Sequence, residues 1–202
     1  NSFSMVVHDW GGAIGCGLAT RSPEKLKALA VHNTAAFLSP HIPFRINILR
    51  NPLGEKAIRY ANAFAWPATF MASETTLPRK VKEGYLYPYK KGPSSRIATA
   101  RFVQDIPMEE GHASYQTLKE IEQKLPELDA PKLIFWGLKD FCFNKHFLNK
   151  WKKIFPESEL ETYPKAGHYL LEDVKKPVYK RLHKFFDQHL HSASPLEGPH
   201  EH

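Results

Sequence analysis

Cysteine is scarce in this sequence, with Cys16 and Cys142 the only two among 202 residues. Both lie in apolar stretches and at no spacing typical of a metal site, so neither a disulfide framework nor a metal site is predicted. Two reduced, buried thiols are typical of a cytoplasmic protein. We therefore expect a cytoplasmic chain stabilised by an ordinary hydrophobic core, for which 202 residues suffice.

Long apolar runs are also absent. No stretch approaches the roughly 18 to 20 apolar residues that a membrane-spanning helix needs, so we expect no membrane span. The net charge is +7, but the basic residues are spread along the chain. The densest basic group, at 175–184, alternates with apolar residues at helical spacing, which indicates the solvated face of a packed helix. We therefore expect no nucleic-acid partner.

The periodicity of apolar residues predicts an α/β protein. The first residues indicate a strand that ends near Val7, followed by a tight turn and a helix of small residues from Ala13 to Leu18. Further parallel strands are predicted at 26–31, 132–137 and 159–163, and helices at 114–125, 143–155 and 174–190. This alternation is typical of a mostly parallel sheet flanked by helices.

Residues 37–112 differ from the rest, because many prolines divide them into short pieces rich in aromatic residues. Helices are predicted there at 45–49, 54–65 and 95–103. The pattern predicts a helical insertion that separates two parts of one α/β core, residues 1–36 and 113–190. The polar end of the chain, 191–202, is predicted to be a disordered tail.

An aspartate occupies the turn after the first strand, in the sequence VVHDWGG at 6–12. A strand, a sharp turn and a helix form the nucleophile elbow of many hydrolases, and Asp9 stands where serine is usual. The helix N-terminus would stabilise its carboxylate, and the backbone N–H of Trp10 would donate to an oxyanion. The alternative is that Asp9 only caps the helix.

Two later residues suit Asp9 as catalytic partners. His168 lies in the loop between the strand at 159–163 and the last helix, where a general base would be placed. Asp140 follows the strand at 132–137 and would orient the imidazole of His168. A surface histidine and a helix-capping aspartate are the alternatives. The order Asp9, Asp140, His168 is the nucleophile, acid and base order of the α/β-hydrolases, which favours the catalytic interpretation.

These motifs, together with WGLKD at 136–140 and GH at 167–168, resemble the haloalkane dehalogenase and epoxide hydrolase group of α/β-hydrolases over nearly the whole chain. The resemblance implies an α/β-hydrolase fold in which 37–112 is a helical cap. It implies that Asp9 forms an alkyl ester with a small apolar substrate and that water activated by His168 hydrolyses the ester. No metal or organic cofactor is implied. Because further strands precede the elbow in that group, we expect those N-terminal strands to be absent from this chain.

The resemblance also implies roles for other residues. Some dehalogenases carry the acid after the strand that precedes Asn33, but the amide at this position favours the branch with the later acid, Asp140. Trp10 matches a tryptophan whose indole binds the departing halide, although many epoxide hydrolases share it. Trp66 is the only tryptophan in 37–112 and is the candidate second halide donor, with packing between cap helices as the alternative. Epoxide hydrolases use two cap tyrosines, and the candidates are Tyr60, Tyr85, Tyr87, Tyr89 and Tyr115.

A third branch resembles the chain at 33–45 and 63–71. Its members are dehalogenase-like enzymes of bacterial long-chain olefin biosynthesis, which use the same aspartate on a β-lactone and release carbon dioxide and an alkene. Halide, epoxide and β-lactone therefore stay open as the reacting group. A rival hypothesis of another class is a truncated, non-catalytic subunit or relic. Association with a second copy or with the missing N-terminal segment is the corresponding expectation for partners.

Overall fold

The computed structural model describes residues 1–190, so the predicted tail lies outside the described residues. Four parallel strands form one sheet in chain order. They are β1 (Phe3–Asp9), β2 (Leu26–Thr34), β3 (Lys132–Gly137) and β4 (Glu159–Tyr163). The predicted spans of β3 and β4 are confirmed, whereas β2 continues three residues beyond its predicted end.

Helices follow the strands and fill the segment between β2 and β3. They are α1 (Trp10–Arg21), α2 (Phe44–Asn47), α3 (Pro52–Ala61), α4 (Ala65–Met71), α5 (Arg79–Leu86), α6 (Ile97–Gln104), α7 (Tyr115–Lys124), α8 (Lys145–Ile154), α9 (Leu170–Asp173) and α10 (Lys175–Leu190). The prediction of one helix over 54–65 is wrong at its end. Asn62 has a left-handed backbone with φ 53° that closes α3, and α4 begins as a separate helix.

Helices cover both faces of the sheet. On one face, Leu29 and Val31 of β2 pack in a core with Cys16 of α1, Ile121 of α7 and Trp151 of α8. On the other face, Ala28 and Ala30 pack with Val178 and Phe185 of α10. Neighbouring residues of β2 face opposite sides, and burial on both faces explains why this strand is apolar nearly throughout. Cys16 and Cys142 are free thiols.

Residues 37–112, here called the helical insert, contain α2 to α6 and no strand. The insert has a small core of its own, in which Ile58, Ala100 and Val103 pack with Leu49 and Phe64. None of the helices within residues 1–190 has both the length and the apolar character to cross a bilayer.

Candidate active site

The elbow after β1 presents Asp9 in a strained conformation. Asp9 has φ 49° and ψ −128°, a combination that a residue other than glycine rarely adopts. The turn is sharp because α1 begins directly at Trp10, three residues earlier than predicted, and packs closely on β2. A Cβ at Gly12 would lie 1.8 Å from Oγ1 of Thr34, and the same Oγ1 donates a hydrogen bond to the backbone carbonyl of Asp9. Strain of this kind is typical of functional sites.

The structure brings His168 and Asp140 to this elbow. Nδ1 of His168 lies 2.9 Å from Oδ2 of Asp140, and Nε2 lies 3.9 Å from Oδ1 of Asp9. The first distance is a hydrogen bond and the second is too long for one. The imidazole is therefore fixed by Asp140 and directs its other nitrogen toward Asp9, as a base or a charge partner of the nucleophile requires.

Asp140 is fully buried and held from several directions. Its Oδ1 accepts hydrogen bonds from the backbone N–H groups of Cys142 at 2.6 Å and Phe143 at 3.1 Å. Its Oδ2 accepts one from Nδ2 of Asn33 at 2.8 Å, beside His168. Asn33 is fixed in turn by the backbone of Gly137, whose N–H donates to Asn33 Oδ1 at 2.9 Å. From the sequence, Asn33 was interpreted only as the absence of an acid at this position, and its contact with Asp140 was not predicted, although an amide can bond to an acid on the neighbouring strand.

Burial and the neighbouring charges shift the pKa values of Asp9 and His168. Burial raises the pKa of Asp9 above its usual value, against the charge of His168 and the backbone N–H of Trp10. Burial lowers the pKa of His168, but the hydrogen bond and charge of Asp140 and the charge of Asp9 outweigh it, so this pKa is raised overall. His168 thus takes up a proton more readily than an ordinary histidine, in contact with a carboxylate that is less acidic than usual.

Two histidines to which the sequence assigned no role lie behind His168: His8, which is partly buried and contacts it, and His32, which is fully buried and packs on His8. Nε2 of His8 lies 3.1 Å from the backbone carbonyl of His168, and because a carbonyl only accepts, Nε2 carries the proton. The ring of His8 stacks on that of His32 with centroids 4.2 Å apart, and His32 stacks on Phe135. Burial, with the charge of His168, lowers the pKa of His8 to about 3, so His8 stays neutral.

A cavity of about 450 Å³ opens over Asp9, Trp10 and His168. The helical insert supplies much of its wall: Pro43, Arg45, Ile46, Leu49, Ala63, Phe64, Ala65, Pro67, Ala68, Met71, Ala72, Tyr85, Tyr89, Val103, Ile106 and Pro107. Among the described residues that line it, Asp9 is the one carboxylate and Arg45 the one lysine or arginine. The wall is otherwise largely apolar and aromatic, which suits a substrate with alkyl groups.

One carboxylate fastens the helical insert to the loop of His168. Oδ1 of Asp173 accepts hydrogen bonds from Ser73 Oγ at 2.6 Å and from the N–H and Oγ1 of Thr75, both at 2.9 Å. Its Oδ2 accepts from the N–H groups of Glu74 at 3.1 Å and Gly167 at 2.8 Å. Gly167 directly precedes His168, so the position of the base depends on this attachment.

A family model described as alpha/beta hydrolase fold matches residues 2–174. The chain belongs to the alpha/beta hydrolase fold family. The predicted fold is thereby confirmed.

Relatives within the family carry more specific names. The chain is 39% identical over 193 residues to a cis-3-alkyl-4-alkyloxetan-2-one decarboxylase of Shewanella oneidensis, covering 93% of the chain and 60% of the relative. It is 37% identical to a protein of the same name from Xanthomonas campestris pv. campestris, covering 92% of the chain and 63% of the relative. The chain therefore spans about 60% of the length of these curated relatives.

The fold is similar to that of solved haloalkane dehalogenases. The haloalkane dehalogenase DbeA from Bradyrhizobium elkani superposes with a TM-score of 0.85 at 24% identity, over 96% of the chain and 69% of that structure. A likeness at this identity supports the fold alone.

The residues predicted from the sequence of this alpha/beta hydrolase do not all meet at the cavity. Asp9, Asp140 and His168 come together, and Trp10 lines the cavity beside Asp9. Trp66 does not reach it. Its side chain is exposed and packs against Phe70, because in the helical phase of α4 it is Ala65, Pro67, Ala68 and Met71 that face the cavity. Trp66 is therefore not in a position to donate to a leaving group there.

Of the candidate tyrosines, Tyr85 and Tyr89 line the cavity, whereas Tyr60 and Tyr87 are exposed. Tyr115 begins α7 and is not among the lining residues. Within residues 1–190, no group of three or more histidine, cysteine, aspartate and glutamate side chains is arranged to hold a metal ion.

Proposed function

We propose that this chain contains the active site of an enzyme that converts a β-lactone into an alkene and carbon dioxide, with Asp9 as the nucleophile. One observation carries the proposal: the Asp9 carboxylate faces an apolar cavity of about 450 Å³, 3.9 Å from the imidazole of His168. An oxetan-2-one is a β-lactone, and the 39% identity to an enzyme named for such a substrate supports this choice.

The proposed reaction begins with opening of the lactone ring. A carboxylate oxygen of Asp9 attacks the alkyl carbon that bears the ring oxygen. The bond between that carbon and the ring oxygen breaks, and its electron pair stays on the released carboxylate. The intermediate is an alkyl ester of Asp9 whose neighbouring carbon carries a free carboxylate.

The second proposed step releases both products. The bond to the carboxylate carbon breaks, its electron pair forms the carbon–carbon double bond, and the ester oxygen of Asp9 leaves with the pair of its own bond. Carbon dioxide and the alkene depart, and the Asp9 carboxylate is regenerated without water. Inversion in the first step followed by anti elimination converts a cis-dialkyl lactone into a cis alkene.

His168, Asp140 and Trp10 would support these steps through charge. Ring opening transfers negative charge from Asp9 to the substrate, and a protonated His168, which its raised pKa favours, would balance that charge. Asp140 would orient His168 and stabilise its charge. The backbone N–H of Trp10 interacts with the Asp9 carboxylate and would stabilise it when it is regenerated. The helical insert would act as the cap that keeps the alkyl chains out of water.

Hydrolytic dehalogenation is the second candidate, and the position of Trp10 favours it. Trp10 follows the nucleophile and lines the cavity, where its indole N–H would meet a departing halide. In this reaction a neutral His168 would activate water to cleave the Asp9 ester. Epoxide opening has less support, because the hydroxyl of Tyr85 already donates to Glu172 at 3.0 Å.

A substrate panel in ¹⁸O-labelled water separates these reactions. We expect a cis-dialkyl β-lactone to give a cis alkene and carbon dioxide while the Asp9 carboxylate takes up no ¹⁸O, and a 1-haloalkane and an aryl epoxide to react much more slowly. Release of halide together with an ¹⁸O-labelled alcohol would instead favour dehalogenation. A folded chain that converts none of the three substrates would favour the non-catalytic rival.

Two substitutions test the roles of the residues. Asp9→Asn should lower turnover by at least about 10³-fold on any of these substrates, because the amide is a poor nucleophile. His168→Ala should separate the mechanisms: hydrolysis would stop at an Asp9 ester visible by mass spectrometry, whereas the decarboxylation retains part of its rate because it needs no water. His146→Ala, on a histidine that does not line the cavity, is the matched control.

A further inference from the structure

The helix α4 has apolar or uncharged residues on every side, with the sequence AWPATFM. Ala65, Ala68 and Met71 line the cavity, whereas Trp66 and Phe70 face away from it with 56% and 55% of their surfaces exposed. Their rings pack together with centroids 5.1 Å apart. A helix that is apolar all round is usually buried, so the outward side of α4 is unusual in solvent.

The exposed rings continue into a larger surface that contains two cations. Nζ of Lys82 on α5 lies 4.0 Å from the centre of the Phe70 ring. Arg45 on α2 donates to Sδ of Met71 at 3.2 Å, and its neighbour Phe44 is 76% exposed. Neither cation forms an ion pair with a carboxylate within residues 1–190. We call this surface the docking face; it consists of Phe44, Arg45, Trp66, Phe70, Met71 and Lys82.

We propose that the docking face binds the surface of an anionic lipid bilayer. Exposed tryptophan and phenylalanine beside lysine and arginine is the composition of proteins that lie in the membrane interface, where rings enter the headgroup region and cations meet lipid charge. The wider charge agrees, because lysine and arginine outnumber aspartate and glutamate by eleven to six in the helical insert.

The docking face lies beside the cavity, so binding to a bilayer would place the cavity next to the lipid. Arg45 and Met71 belong both to this face and to the cavity wall, so the face borders the cavity that holds Asp9. Apolar molecules with alkyl chains partition into bilayers, and a mouth held against the bilayer would admit them without passage through water. This delivery rests on the proposed function, whereas the binding of lipid does not.

Vesicle binding tests the proposal with the full chain. The chain should co-sediment with vesicles of phosphatidylcholine and phosphatidylglycerol. A smaller fraction of it should co-sediment with vesicles of phosphatidylcholine alone. Binding to anionic vesicles should weaken as salt increases. The tryptophan fluorescence should shift to the blue on binding, because Trp66 moves from water into the interface. The shift can be assigned to Trp66, because Trp136 and Trp151 are buried and Trp10 lines the cavity.

Paired variants assign the binding to the docking face. Trp66→Ser with Phe70→Ser should weaken vesicle binding by roughly tenfold, because two rings are lost from the interface. Leu160→Ser with Tyr179→Ser removes two exposed apolar side chains of β4 and α10 and should leave binding unchanged. Lys82→Glu should weaken binding to anionic vesicles more than Lys176→Glu, which makes the same charge change on α10.

The results that would overturn the proposal are distinct from failure of the proposed function. The chain remaining in the supernatant, or equal binding by the Trp66/Phe70 variant and its control, would refute docking. A native mass that falls in that variant without any lipid binding would instead assign the face to contact between two copies. Asp9→Asn should lose turnover but bind vesicles normally, so lipid binding without turnover in the unmodified chain would count against the catalytic proposal alone.

Discussion

The elbow after β1 and the loop after β3 both place an aspartate at the carboxyl end of a parallel strand, but they treat its carboxylate in opposite ways. The side chain of Asp9 is 40% exposed to the cavity, on a backbone in a strained conformation. The side chain of Asp140 has no exposure and takes hydrogen bonds from two backbone N–H groups, Asn33 and His168. One carboxylate is left free to react, and the other is fixed so that it can only orient and charge-balance a neighbour.

Asp9 and Asp140 thus differ in role because their carboxylates accept different numbers of hydrogen bonds. A carboxylate that already accepts four hydrogen bonds is a poor nucleophile, because its lone pairs are engaged. A carboxylate with one backbone N–H nearby keeps lone pairs for a substrate carbon. Substitutions that remove the donors or the charge of the fixed carboxylate should therefore lower activity in proportion to how much of this difference they remove.

Among substitutions that leave the nucleophile Asp9 in place, removing the charge of Asp140 should have the largest effect. Asp140→Asn leaves the shape of the side chain but removes the partner that raises the pKa of His168, and we expect turnover to fall by roughly 10²- to 10⁴-fold. The pKa of His168 should fall as well. A reaction that needs neutral His168 is lost as pH falls through this pKa, so its acid limb should move to lower pH in the variant.

The pH profile therefore serves as the measurement for Asp140→Asn. Kinetics from about pH 5 to 9 would show whether the acid limb of the haloalkane reaction, which needs neutral His168, and the alkaline limb of the β-lactone reaction, which needs protonated His168, both move to lower pH. A lower rate with an unmoved limb would mean that Asp140 only positions His168. Asp187→Asn, at an exposed position of α10, controls for the change in net charge.

Removing one donor of Asp140 should have an intermediate effect. Asn33→Ala takes the amide from buried Oδ2 and leaves the N–H of Gly137 without its acceptor, which should cost about 1–3 kcal/mol of unfolding free energy. Turnover should fall by about tenfold as Asp140 and His168 loosen. Denaturant unfolding and kinetics measure the two effects.

The backbone of Asn33 requires a second variant. Asn33 has φ 38°, a left-handed conformation in which alanine is strained, whereas glycine is not. Asn33→Gly removes the same hydrogen bonds without that strain. Equal losses in both variants would assign the effect to the hydrogen bonds, and a glycine variant that behaves like the unmodified chain would assign it to the backbone.

The sequence was sufficient for residues whose role follows from a strand end, and insufficient for those that depend on the spacing between elements. Asp9 is the last residue of β1, and Asp140 and His168 come shortly after β3 and β4, so the topology of a parallel sheet brings them to one edge. The contact from Asn33 to Asp140 depends on β2 continuing to Thr34 and on a left-handed backbone, neither of which the apolar pattern indicates.

The prediction for Trp66 rested on the resemblance and on its being the only tryptophan in 37–112, neither of which indicates the phase of its helix. The pattern over 54–65 suggested one helix, but the turn at Asn62 starts a new helix with a new phase. The phase of α4 decides which of its residues face the cavity, and a change of one residue rotates a side chain by about 100°. A tryptophan near a site in sequence can therefore lie on the outer side of its wall.

Loosening the attachment of the His168 loop should have the smallest effect. It tests whether the rigid placement of Asp140 and His168 also depends on contacts with the helical insert. An asparagine at 173 has one acceptor oxygen instead of two, so Asp173→Asn leaves part of the five donors without a partner, either those of Ser73 and Thr75 or those of Glu74 and Gly167. We expect kcat to fall about three- to tenfold and KM to change little, because Gly167 adjoins the base His168 and does not line the cavity.

Burial raises the pKa of Asp173, but the hydrogen bonds from Ser73, Gly167, Glu74 and Thr75 outweigh it and lower the pKa overall. The stability from this carboxylate is therefore present at neutral pH and lost as pH falls below its usual pKa of 3.8 and through the lowered value. Thermal unfolding at pH 7 and again near pH 3 should thus separate the variant from the unmodified chain by a larger difference at pH 7 than at pH 3. A variant with unchanged kcat and a raised KM would mean that the attachment shapes the cavity and leaves the base in place.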